Sequence, residues 1–154
     1  LLGHRHGLSD TAEALLFMAS RAQLVAEVIR PALGQGSVVL SDRFLLANVV
    51  YQGYGGRLNV DELWNVGHVA TGGLLPDLTI VLDLPVEAAL RRRGRPADRM
   101  ESRPEEYHLR VRDGFLTEAA RRPDRIAVVD ASGDVNAVQQ AIRARVAPLL
   151  ARKG

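Results

Sequence analysis

The sequence predicts an α/β fold with a parallel sheet covered on both faces. Three observations predict it. Short apolar runs without polar alternation, Val38-Val39-Leu40, Leu78 to Leu84 and Ile126 to Val129, read as strands buried on both sides. Segments with helical periodicity separate those runs, which is the alternation of a parallel sheet. The chain has 154 residues, 47% of them hydrophobic, with no repeat or linker. A chain this long buries roughly 70% of its unfolded surface, enough for one core.

The elements follow in order. Asp10 and Glu13 fit an N-cap and its third helical residue. Leu15, Met18, Ala22, Val25 and Ile29 mark one helical face, and Pro31 and Gly34 the approach to its end. Val38 to Leu40 is the first strand, and helices over about 45–51 and 60–70 come next. Leu78 to Leu84, introduced by Pro76-Asp77, is the clearest strand. Helical patterns at about 86–93 and 104–122 lead to the strand Ile126 to Val129, and 134–151 is a closing helix. Three strands make a thin sheet, which points to at least one strand outside this chain. Ligands of such sheets bind beyond the carboxyl ends of the strands. That rule selects Ser41-Asp42-Arg43, Asp83-Leu84-Pro85 and Asp130-Ala131-Ser132.

Composition narrows the chemistry. There is no cysteine, hence no disulfide, thiol nucleophile or Cys-bound zinc. A net charge of +2 does not demand a nucleic-acid partner. No apolar run reaches the ~18 residues of a membrane span, so a soluble, cytoplasmic single domain is expected. The only lysine is Lys153, which excludes a Walker-A lysine or a Schiff base in the chain interior. Arginine supplies the other 19 cations, and 11 of them fall between residues 85 and 125.

Several groups carry chemistry under one reading and ordinary structure under another. Asp42 can accept a proton or hold a Mg²⁺-bound water, and Arg43 can clamp a phosphate; the pair can equally be a helix cap and a surface cation. Phe17 and Arg21, four apart on a helix, can offer a ring and a donor fork to a nucleobase, or be core and solvated face. Tyr51-Gln52-Gly53-Tyr54-Gly55-Gly56 can supply stacking and an amide, or end a helix in a glycine turn. Arg91 to Arg99 forms an arginine-dense loop. It suits a lid over phosphates, a nucleic-acid patch or a solvated turn. His4 and His6 lack further ligands at metal spacing.

In order along the chain, Ala14 to Arg21, Val38 to Phe44, Tyr51 to Gly55, Thr71 to Thr79, Leu82-Asp83-Leu84, Asp98 to Glu101 and Asp130-Ala131 resemble thymidylate kinases from about Ser9 onward. The resemblance implies a three-layer P-loop nucleoside-monophosphate-kinase fold and transfer of the ATP γ-phosphoryl group to dTMP. It implies ATP and Mg²⁺ as requirements, a homodimer, and neither nucleic acid nor membrane as partner. Phe17 then stacks on thymine and Arg21 hydrogen-bonds it. Asn48 and Gln52 are polar neighbours of the base, and Tyr51 lies beneath the deoxyribose. Arg43 holds the dTMP phosphate, and Asp42 helps position substrate and Mg²⁺. Arg95 and Arg99 belong to a lid over about 91–103. Ala131-Ser132-Gly133 lines the adenine pocket, and no residue is a direct metal ligand.

The departures from that family are specific. Its first strand and its G-x-x-x-x-G-K-[ST] loop have no counterpart here, nor has the Asp/Glu-Pro-Gly-Gly segment that helps hold the monophosphate. The stretch from Leu84 to Gly94 is a few residues short, and Ala47 replaces a common serine. The sequence is therefore expected to be the later three-quarters of a kinase, inactive by itself. A non-catalytic nucleotide-binding module, or another deoxynucleotide or deoxynucleoside kinase, is the alternative.

Overall fold

The computed structural model describes residues 8–92 and 102–151. Arg95, Arg99, His4 and His6 lie outside the described residues, as does most of the lid segment. The chain forms two compact units, Leu1–Leu75 and Pro76–Gly154.

The first unit is helical. Helix α1, Asp10–Leu24, starts at Ser9, whose hydroxyl accepts the Ala12 N–H at 3.2 Å. The N-cap is thus Ser9, not Asp10. Serine can take the extended backbone before the helix and satisfy an orphan donor, while Asp10 sits in the first turn and favours the positive helix end. A π-helical stretch, Val25–Ile29, runs into α2, Arg30–Gly34. Pro31 explains the wider turn: it has no N–H to give to Glu27, and in an α-helix its ring would press on that carbonyl.

Met18, Val25 and Ile29 are buried as the periodicity predicts and Ala22 is half-buried, but Leu15 is 53% exposed, and Ala14, outside the predicted face, is buried instead. The inward place in that turn belongs to Glu13, which is 3% exposed. Helix α3, Leu45–Asn48, continues through a second π-helical stretch, Val49–Gly55. Helix α4, Val60–Thr71, is capped by Asn59, which accepts from the N–H groups of Asp61 and Glu62, and ends at Gly72 in the left-handed region (φ 55°). Ala14, Met18, Leu45, Val49 and Leu63 make the core of this unit. Gly67 lets α4 approach closely, since a Cβ there would lie 2.1 Å from Leu45 Cδ1.

Val38 to Leu40 is not a strand. Val38 is 74% and Leu40 97% exposed, and no ladder forms there among the described residues. Apolar composition makes a segment fit for a strand, but a strand exists only with a neighbour to bond. Asp42 consequently does not follow a strand end.

The second unit holds the sheet. Strands β1, Thr79–Asp83, and β2, Ile126–Asp130, pair in parallel, with Thr79 opposite Ile126 and Asp83 opposite Asp130. The sheet has two strands among the described residues, not three. Helices α5, Val86–Arg92, α6, Glu105–Arg121, and α7, Val135–Ala151, agree with their periodicity to within two residues. Glu118 is fully buried on α6, paired with Arg121 and Arg122.

Candidate functional site

Residues 41–55 of the first unit carry most of the candidate groups. Arg43 has a left-handed backbone (φ 68°), which costs a residue with a Cβ about 1 kcal/mol or more. Two donors fasten its carbonyl: the Ser41 hydroxyl at 2.8 Å and Arg21 Nη1 at 3.2 Å. Its guanidinium carbon stands 5.1 Å from the centre of the Tyr51 ring, a cation–π contact. Arg43 itself is exposed, so its charge is presented from a fixed backbone. Asp42 is exposed on the same bend.

Arg21 ties this bend to the helix that follows. Besides the Arg43 carbonyl, it donates through Nη2 to Asn48 Oδ1 at 2.8 Å. The ring under its guanidinium is that of Phe44, at 5.1 Å. Burial pushes its pKa below the usual arginine value. Phe17 lies one turn earlier on α1 and is half-buried. Asn48 and Gln52 are each 4% exposed and one turn apart on the α3–π segment. Gln52 donates through Nε2 to Glu13 Oε1 at 3.3 Å, a buried contact. The structure therefore brings Arg21, Arg43, Asn48 and Tyr51 into one bonded cluster, with Gln52 beside it. Its pieces suit a planar base and an anion: donor forks, amides and aromatic faces.

Ala131-Ser132-Gly133 belongs to the second unit and follows β2. Asp130 accepts the Ser132 N–H at 2.8 Å, and its bonds to Ser132 hold its carboxyl below the usual range. Arg92 at the end of α5 reaches the carbonyls of Ala131 at 2.7 Å and Ser132 at 2.9 Å. Arg112 on α6 grips Asp83 with two bonds, at 2.7 and 2.9 Å. That grip lowers the Asp83 pKa and raises that of Arg112.

Glu13, Phe44 and Arg112 have no site role in the sequence pattern, and Arg92 has one only as part of the arginine-dense segment. Glu13 fits a cap, and a buried carboxylate between capping and apolar residues has the same signature. Phe44 stands in a segment that carries the resemblance, which implies no role for it. Arg92 and Arg112 are two of the 11 arginines between residues 85 and 125, and nothing in one sequence distinguishes the cation that grips a partner from its solvated neighbours. No group of three or more His, Asp or Glu that could hold a metal ion occurs among the described residues.

A family model described as thymidylate kinase matches residues 1–142. Among curated relatives, a thymidylate kinase of Rhodopirellula baltica is 49% identical over 132 residues, covering 86% of this chain and 54% of the relative. One of Symbiobacterium thermophilum is 50% identical over 148 residues, 96% of this chain and 69% of that protein. The chain thus spans about half to two-thirds of the length of these relatives. Among solved structures, the thymidylate kinase of Ehrlichia chaffeensis superposes with a TM-score of 0.70 at 26% identity, over 91% of this chain and 66% of that one.

Proposed function

The chain belongs to the thymidylate kinase family, and on that premise we propose that it carries the monophosphate side of an enzyme moving the γ-phosphoryl group of ATP to dTMP. The observation that carries this reading is the Arg21–Arg43–Asn48–Tyr51 cluster. It unites a strained, fastened arginine, suited to a phosphate, with amides and rings suited to a base. Arg43 takes the dTMP phosphate, with Tyr51 beneath the sugar. Phe17 stacks on thymine, and Arg21, Asn48 and Gln52 meet its polar edge. Asp42 helps orient the reacting phosphates.

Transfer is in line, so the protein's task is positioning and charge neutralisation. Mg²⁺ enters with ATP as part of the substrate and neutralises its phosphates. In this reading Arg95 and Arg99, in a lid over about 91–103, add cations during transfer, and Ala131-Ser132-Gly133 lines the adenine pocket. The family match runs through both units, which supports one kinase domain, cytoplasmic and homodimeric as the resemblance implies.

Residues 1–154 contain no G-x-x-x-x-G-K-[ST]. Expressed alone they bind dTMP and do not phosphorylate it, because nothing cradles the β- and γ-phosphates. That same observation favours the second reading, a nucleotide-binding module without catalysis. Calorimetry with dTMP and thymidine, paired with a coupled ATP turnover assay, tests both. The expected result is saturable dTMP binding, clearly weaker thymidine binding, and no turnover. Turnover by residues 1–154 alone refutes the fragment reading, and tighter binding of dCMP or of a nucleoside moves the substrate to another deoxynucleotide or deoxynucleoside kinase.

A further inference from the structure

Asn48 and Gln52 present two buried amides one helical turn apart. An amide has an acceptor at one end and two donors at the other, so the end left for a ligand is set by what holds the opposite one. Arg21 has only donors, and it takes the Oδ1 of Asn48 at 2.8 Å. The amino end of Asn48 is what remains. Glu13 does the reverse. An ionised carboxylate only accepts, and Glu13 takes the Nε2 of Gln52 at 3.3 Å. This leaves Gln52 Oε1 as a buried acceptor with no hydrogen-bond partner. A buried acceptor left unpaired is costly, and a ligand that brings a donor removes the cost.

We propose that Glu13 is a positioning residue for base selection: by holding the amino end of Gln52 it turns the oxygen end to the nucleobase. The inference rests on the reading of this cluster as the monophosphate site. Asn48 then offers a donor and Gln52 an acceptor. Their complement is an imide edge, a carbonyl oxygen beside a ring N–H, as in thymine and uracil. Cytosine carries the inverse, an amino group beside a bare ring nitrogen, and would set donor against donor and acceptor against acceptor. Sites with buried groups that a wrong ligand leaves unpaired discriminate strongly. Water does not reach Oε1 in this structure, so the neighbouring side chains must part as the base enters.

The test is Glu13→Gln, which keeps the size but can accept from or donate to Gln52, so the amide is no longer held one way. Calorimetry with dTMP, dUMP and dCMP reads the result. The unsubstituted chain prefers both imide nucleotides to dCMP. In Glu13→Gln the preference for dTMP over dCMP falls about tenfold or more. The preference for dTMP over dUMP stays, because it depends on a methyl group that Gln52 does not address. Glu13→Asp keeps an acceptor-only group and restores part of the preference. A merely structural role weakens all three nucleotides alike, and unchanged ratios overturn the proposal. If circular dichroism shows Glu13→Gln unfolded, Gln52→Met must give the same collapse, and an unchanged ratio there also overturns it. An unsubstituted chain that binds none of the three defeats the proposed function, and this inference with it, before any variant is made.

Discussion

The candidate site groups of the two units differ in how they meet solvent. In the first, Glu13, Asn48 and Gln52 are buried inside a helical core, and the hydrogen bonds to Glu13 and Arg21 decide how the amides point. In the second, Glu118 is buried against Arg121 and Arg122, but the candidate groups lie near the carboxyl ends of the strands, where Asp83, Asp130 and Arg92 stay open to solvent at least in part. Buried polar groups are costly to leave unpaired, so they specify one ligand edge; partly exposed ones can be satisfied by water and can exchange partners. The first unit is therefore read as the selective half and the second as the adjustable half.

Breaking the first unit's core should have the largest effect. Leu45 is 1% exposed and packs against Gly67, so Leu45→Ala should cost about 2–5 kcal/mol, measured by chemical denaturation. The comparison is sharpened by whether nucleotide binding falls with it. Next comes Arg43→Ala, which removes an exposed cation without opening a cavity. It should weaken dTMP by about tenfold to a hundredfold and thymidine little, read by calorimetry. Equal losses for both would mean that Arg43 supports the backbone and not the phosphate.

The second unit should answer to pH. The grip of Arg112 lowers the folded pKa of Asp83 below its unfolded value of about 3.9. Its contribution is then fully present above that unfolded value and is lost as pH falls through the lower folded one. Thermal unfolding from pH 7 to 2 should show wild type above Asp83→Asn at neutral pH and the gap closing in acid. A gap that persists at the acid end assigns the effect to packing. The smallest effect is expected from Ser9→Ala, about 1 kcal/mol, through loss of the α1 cap, measured in the same melts.

Helix positions and the β1 and β2 strands could be read from sequence because periodicity and apolar runs report local burial. The exposure of Val38 and Leu40 could not, because a strand depends on a partner elsewhere. Arg21, Arg43, Tyr51 and Gln52 stand out in the sequence by residue type and position, and Asn48 only through the resemblance. Their bonding was not visible, since Arg21 binding both the Arg43 carbonyl and Asn48 is a long-range contact. Glu13 shows the limit most plainly: a carboxylate near a helix start looks like a cap whether it faces water or a buried amide.

The most direct test of the central claim is an NMR titration of the isotopically labelled chain with dTMP. Saturable shifts should concentrate at Phe17, Arg21, Arg43, Asn48, Tyr51 and Gln52, leaving Ala131 to Gly133 unmoved. Shifts concentrated on the second unit, or none that saturate, would contradict it.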